Sequence, residues 1–136
     1  MFKGSEEQFI ELLNQLVARS KKSLEENSFP VFGLLLKEDG KTDLVLGLIE
    51  DGELSDIINH VQQEMIEIRK KMPLLAACLA YPDFQDQRVV AHLENHENYQ
   101  LRCDVPVLNN NGLELDIDNV ITGDGSTIVF GNNNVV

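Results

Sequence analysis

Positive charge is scarce in this chain of 136 residues, which has 11 Lys and Arg against 23 Asp and Glu and a net charge of −12. After Lys71 the only cations are Arg88 and Arg102. A surface of this kind repels phosphate polyanions, so we expect no binding to nucleic acid. We expect no binding to anionic membrane faces for the same reason.

Cysteines and long apolar runs are also few. Cys78 and Cys103, the only cysteines, both fall in strand-like segments, and no charged-then-apolar leader opens the sequence. We therefore expect reduced, buried thiols in a cytoplasmic protein. The longest apolar run, residues 74–81, is too short to span a bilayer. Hydrophobic residues nevertheless make up 43% of the chain, enough for one core.

Hydrophobic periodicity predicts two helices. The first begins near Ser5, which is spaced from Gln8 as in a capping box, and ends before Asn27 and the Phe29-Pro30 pair. The second runs from after residues 51–52 to about residue 72, with acidic residues early and basic residues late, as the helix dipole favours. The apolar stripes are Phe9, Leu12, Leu13, Leu16, Val17 and Leu24 in the first, and Leu54, Ile58, Val61, Met65, Ile68 and Met72 in the second.

Five further segments read as strands: residues 31–36, 42–49, 74–81, 88–94 and 99–107. Asp39-Gly40 marks the turn between the first two, because glycine accepts the positive φ of a short hairpin. The last two form a second hairpin in which the apolar rows share one face. That register requires an odd-length loop at residues 96–98, with Asn98 left-handed, and it places His92 opposite Arg102.

The resulting order is α-β-β-α-β-β-β with a β-rich end, which predicts an α+β fold: a mostly antiparallel sheet of five or six strands with two main helices. We expect one globular domain over residues 1–117 and a Gly/Asn-rich, β-prone tail over residues 118–136. Residues 113–117 add a short strand, and the tail's two similar Gly-rich stretches suggest either a β-hairpin or stacked repeats. Residues 127–130 carry no charge and no proline, which is typical of an exposed edge strand. We therefore expect a homodimer that forms through the sheet or this terminal strand.

The order of elements over residues 5–107 is similar to that of profilin-like and roadblock-type domains, which commonly serve as dimeric interaction modules. The tail, with Gly123-Asp124-Gly125 followed by Gly131-Asn132-Asn133-Asn134, resembles the linkers of bacterial multidomain conflict-system adaptors. That resemblance implies a bacterial protein in which the segment joins a small module to an effector. Element order alone is an argument about fold and not about function.

Signatures of catalysis and of cofactor binding are few. His60 and Glu64 stand four apart on the second helix, but on its polar face, so they predict a solvated pair more than a metal site. Cys78 lies among apolar residues that make a thiol inert, and Cys103 is on the opposite face from His92. Asp116, Asp118 and Asp124 lack the spacing of a calcium loop. No nucleotide fingerprint or catalytic serine turn is present, so we expect no metal and no cofactor.

Two surface features remain. Residues 83–118 contain two arginines and eight acids, which predicts a negative face that docks a basic protein partner. The acids are Asp83, Asp86, Glu94, Glu97, Asp104, Glu114, Asp116 and Asp118. Tyr81, His92 and Arg102 form the candidate ligand or partner site. The sequence therefore favours a non-enzymatic protein-interaction module, an adaptor or an acidic immunity-like inhibitor. The alternative is a small ligand-binding domain or enzyme with a pocket near His92 and Arg102.

Overall fold

In a computed structural model, a seven-stranded antiparallel sheet carries one helix on each face. The structure describes residues 4–25, 31–47, 53–83, 85–109 and 113–130. Numbered in chain order, the strands are β1 (Phe32–Lys37), β2 (Thr42–Leu46), β3 (Leu74–Asp83), β4 (Arg88–Asn95), β5 (Gln100–Asn109), β6 (Leu113–Leu115) and β7 (Ile121–Asp124). The path of the sheet is β2-β1-β3-β4-β5-β6, with β7 also paired to β5. This confirms the predicted α+β class, and the two short strands after β5 bring the total to seven. In the described parts of the chain, no helix is long and apolar enough to cross a membrane.

The two helices are α1, Ser5–Glu25, and α2, Leu54–Lys71. α1 buries Phe9, Leu12 and Leu16 against one face of the sheet, and α2 buries Val61 and Met65 against the other. The ends of the α2 stripe, Leu54 and Met72, are partly exposed. Gln8 is also buried, and its Oε1 accepts a 3.1 Å hydrogen bond from Nδ2 of Asn95 in the sheet.

The first hairpin joins β1, Phe32–Lys37, to β2, Thr42–Leu46. Gly40 has a φ of 86° in the connecting turn, which confirms the role predicted for it. β1 lies between β2 and β3, and β2 is the terminal strand on its side of the sheet. The predicted end of the first helix at residues 27–30, the predicted continuation of β2 to residue 49 and the turn at residues 51–52 lie outside the described residues.

The centre of the sheet is β3, Leu74–Asp83, β4, Arg88–Asn95, and β5, Gln100–Asn109. The predicted register is confirmed, because His92 lies opposite Arg102 and Asn98 has a left-handed φ of 67°. β3 continues two residues past its predicted end, through Pro82. Its pairing with β1 stops at Ala80, so Pro82 falls where only β4 is paired to β3 and a missing N–H costs little.

The chain after β5 returns along the outer edge of that strand. β6, Leu113–Leu115, pairs with its end, and β7, Ile121–Asp124, pairs with residues 101–104 after a 3₁₀ turn at Ile117–Asn119. The expected exposed edge at residues 127–130 is wrong for its last three residues. Ile128, Val129 and Phe130 are no more than 9% exposed, because they pack with α2 into the second core. Residues 110–112 and 131–136 are not among those described, and the domain boundary after residue 117 stays a prediction.

Candidate functional site

The candidate site lies on the face of the sheet that carries α2. α2 packs over β1, β2 and β3, whereas Tyr81, His92 and Arg102 stand on β3, β4 and β5, towards the other side of that face. Residues 126–130, which we call the docked segment, return over the same area. The structure therefore brings the end of the described chain onto the site that the sequence predicted from three separate strands.

Tyr81 and His92 form a direct contact. The Tyr81 hydroxyl lies 3.0 Å from His92 Nε2, and the ring centroids are 5.6 Å apart. Burial raises the pKa of Tyr81 above its ordinary value, and burial together with the positive charge of Arg102 lowers the pKa of His92. Both side chains are therefore uncharged at neutral pH, and they form a hydrogen-bonded neutral pair.

A pocket of about 190 Å³ opens beside this pair. Its lining comprises Ile58, Gln62, Leu79, Tyr81, His92, Ser126, Thr127 and Ile128. Nδ1 of His92 is buried without a hydrogen-bond partner among the described residues. Drug-sized ligands generally occupy about 300 Å³ or more, so this pocket would hold ordered water or a small polar molecule.

Arg102 shares the face but takes part in a separate ion-pair network. Its Nε donates to Asp104 Oδ1 at 2.9 Å, and Asp104 Oδ2 accepts from Arg88 at 2.9 Å. Arg88 also pairs with Asp83 at 3.0 Å. Both arginines are thus held by carboxylates. The structure places Tyr81 and His92 in the wall of the pocket and leaves Arg102 out of it.

Glu94 lies in the interior of the protein, although the sequence analysis counted it among the acids of the negative face. Its side chain is fully buried, and its Oε1 accepts hydrogen bonds from three successive backbone N–H groups of the docked segment. The distances are 2.9 Å to Ile128, 2.7 Å to Val129 and 2.9 Å to Phe130. Gln62 of α2 donates to the Ile128 carbonyl at 3.0 Å. A carboxylate with several charge-assisted donors is one of the few stable ways to bury a charge.

The acidic face is smaller than the sequence predicted, since Glu94 belongs to the interior. Asp83 and Asp104 are paired with arginines, which removes two more acids from the unpaired set. Asp86 and Glu97 remain more than half exposed, although Asp86 also lies 3.4 Å from Arg88. The negative potential therefore comes mostly from loops and from the residues after β5.

The two thiols are buried and the His60–Glu64 pair on α2 is exposed to solvent, as the sequence predicted. Cys78 and Cys103 are fully buried, and burial, followed by the charge of Asp104, raises the pKa of Cys103 to about 11. Burial and the neighbouring Cys103 raise the pKa of Cys78 as well. His60 lies 3.1 Å from Glu64, and both side chains are about half exposed. Within the described ranges, no group of three or more His, Cys, Asp or Glu residues is arranged to hold a metal ion.

Comparison of the chain with protein-family models, curated proteins and solved structures finds no match.

Proposed function

We propose that this chain is a non-enzymatic protein-interaction module that binds a protein partner along the edge strand β2. The observation that carries the proposal is the state of this strand. β2 terminates the described sheet, and Leu44 and Leu46 are 38% and 40% exposed on it. Edge strands with free backbone groups and apolar side chains pair readily with another chain.

The pairing pattern shows which backbone groups of β2 are free. Lys37 N donates to Lys41 O at 2.9 Å, and Gly47 N donates to Val31 O at 3.0 Å. Hydrogen-bonded pairs alternate with non-bonded pairs along an antiparallel ladder, so Asp43 and Val45 also bond to β1. The N–H and C=O groups of Thr42, Leu44 and Leu46 consequently point outward.

The Tyr81–His92 site supports the non-enzymatic part of the proposal. Both thiols have raised pKa values, the two arginines are held by carboxylates, and His92 is hydrogen-bonded to a neutral phenol. An acid–base catalyst requires a group whose pKa lies near the operating pH and which reaches the reacting atom. We also propose that the order of elements places the chain near profilin-like and roadblock-type domains. Such domains commonly serve in protein interaction, which agrees with a non-enzymatic role.

A photo-crosslinking amino acid at position 44 tests the function. We expect it to become covalently linked to a protein in extracts of the native organism, because the side chain stands beside the free edge. The matched control carries the same amino acid in place of Tyr99, which is 58% exposed on the loop between β4 and β5. Equal crosslinking from both positions, or none from position 44, contradicts the proposal.

A small-ligand site is the second candidate, and the unpartnered Nδ1 of His92 in the pocket wall favours it. Because a buried nitrogen without a partner is costly, a ligand or water that bonds to it would stabilise the fold. Imidazole-nitrogen NMR signals of His92, recorded during titration with small amides and polyols, test this candidate. A shift that is absent in His92→Phe supports a ligand site, and an unchanged spectrum contradicts it.

A further inference from the structure

We propose that the β2 edge binds the β2 edge of a second copy of this chain, antiparallel and two-fold symmetric, with Leu44 opposite Leu44. This inference rests on the proposed function and names the partner. It moves the predicted homodimer interface away from the end of the docked segment, because Ile128, Val129 and Phe130 are buried in the protein's own core.

The backbone of β2 is self-complementary. Its three outward-facing residues, Thr42, Leu44 and Leu46, are spaced evenly about Leu44. With a two-fold axis at Leu44, Leu44 pairs with itself and Thr42 pairs with Leu46 of the second copy. Leu46 pairs with Thr42 of the second copy in the same way. Each of these three pairs exchanges two N–H···O hydrogen bonds, so the interface contains about six hydrogen bonds. Every outward N–H and C=O of the strand thereby gains a partner.

The side chains fit the same register. On one face the exposed Leu44 side chains meet, flanked by Leu46 against Thr42. On the other face Asp43 lies opposite Val45, so like charges are never directly opposite, and Asp43 keeps its 3.3 Å ion pair with Lys37. If the axis moves to Thr42, Leu44 lies opposite Gly40, which belongs to the turn and offers no strand. If the axis moves to Val45, Leu44 pairs with Leu46 but Thr42 has no partner within β2. Of these three registers, only the one centred on Leu44 pairs all three outward-facing residues.

The small interface and the net charge of each copy predict a weak, salt-dependent dimer. A pair of five-residue strands buries less than the standard interface of about 1,600 Å², so we expect a dissociation constant in the micromolar range. Each copy carries a net charge of −12, and the repulsion between the copies is screened within about 8 Å at physiological salt. Added salt should tighten the dimer, whereas it would loosen a complex with a basic partner.

The test compares Leu44→Pro with Leu44→Thr. The Leu44 N–H points away from β1, so proline at this position blocks the edge without removing a hydrogen bond inside the sheet. Threonine also removes the leucine but keeps the N–H. Light scattering on the full chain should give twice the 15.3 kDa chain mass at high concentration, with the dissociation constant falling as NaCl rises. Leu44→Thr should still dimerise, and Leu44→Pro should stay monomeric.

A second measurement keeps the test decisive if Leu44→Pro fails to fold, as judged by circular dichroism. Leu44→Cys should be linked to itself by a short bismaleimide, because the two positions face each other. Tyr99→Cys is the control, and the native cysteines are fully buried.

A monomer at every concentration and salt level overturns the inference, as does a dimer that forms equally well with proline at position 44. If the chain alone is monomeric while position 44 crosslinks to a different protein, the dimer is wrong and the proposed function stands. If both experiments fail, both proposals are wrong.

Discussion

Glu94 connects two parts of the chain that are more than thirty residues apart. One carboxylate oxygen accepts the N–H groups of Ile128, Val129 and Phe130, so the backbone of the docked segment is held as well as its buried side chains. Three successive N–H groups of a β-strand cannot all reach one acceptor, because successive N–H groups point to opposite sides of the strand. These residues are bent and not in a strand, which allows all three to converge.

We expect Glu94→Gln to lower the free energy of unfolding by about 1–3 kcal/mol, since charge-assisted hydrogen bonds become neutral ones in a buried site. Urea unfolding measures the loss, and hydrogen exchange should show faster exchange at the amides of residues 128–130. Glu97→Gln is the control, because that side chain is 56% exposed. If the two variants are equally stable, the Glu94 contacts contribute nothing to folding.

His92 should make stability depend on pH. Its pKa in the folded protein lies below the ordinary value of 6.5, first because of burial and then because of Arg102. As the pH falls below 6.5, the unfolded chain takes up a proton that folded His92 resists, so stability falls from there towards the lowered pKa. Above 6.5 the residue contributes no pH dependence.

We therefore expect His92→Gln to lose less stability than the wild type between about pH 7 and pH 5 in urea unfolding. Gln63→Asn, altered at an exposed position of α2 that carries no titratable group, should follow the wild-type profile. The quantity to compare is the slope of the unfolding free energy against pH, because losing the hydrogen bond to Tyr81 also changes stability at every pH. Identical slopes for His92→Gln and the wild type would contradict the assignment.

At the scale of elements, close backbone approach determines how the chain passes β5 at Gly125, between β7 and the docked segment. A Cβ added to Gly125 would lie 2.4 Å from the Leu101 backbone nitrogen, which cannot move without disturbing the strand. A Cβ on Gly123, two residues earlier in β7, would meet nothing within 4 Å. Two glycines in one short stretch therefore differ sharply in their tolerance of a side chain.

We expect Gly125→Ala to cost about 1–3 kcal/mol of unfolding free energy through overpacking, and to raise exchange at residues 128–130 as the segment shifts. Gly123→Ala should change stability by no more than about 0.5 kcal/mol. Both are measured by urea unfolding and hydrogen exchange. Equal effects of the two substitutions would show that the chain at residue 125 does not approach β5 this closely.

The helices and the first five strands follow from local pattern alone. The second hairpin is predicted down to its register, since the shared apolar face and the length of the 96–98 loop leave one solution. The position of residues 128–130 is not predictable in this way. An uncharged stretch at a chain end fits an exposed edge as well as a buried segment, and its partners, Gln62 and Glu94, lie far away in sequence.

At the scale of the whole molecule, the charge balance opposes compaction. The chain carries a net charge of −12, and Arg88 and Arg102 already form ion pairs with Asp104. The excess acids therefore repel one another in the folded protein. Screening should relieve this self-repulsion, so we expect the melting temperature to rise between about 0.05 and 0.5 M NaCl. Thermal unfolding followed by circular dichroism measures it, with KCl as the control for ion identity. A falling melting temperature would mean that local ion pairs outweigh the overall repulsion.

The amino-acid sequence by itself determined the element order, the α+β class, the first hairpin turn and the His92–Arg102 pairing, because periodicity and turn chemistry act over neighbouring residues. It also determined which face of the sheet His92 occupies, since alternation along β4 and β5 assigns that face. Only the tertiary structure decided that Glu94 is interior, that Arg102 belongs to an ion-pair network and that residues 128–130 are buried while β2 lies at an edge of the sheet. Those outcomes depend on which distant segments meet, and burial and hydrogen bonding between such segments leave no local pattern in the sequence.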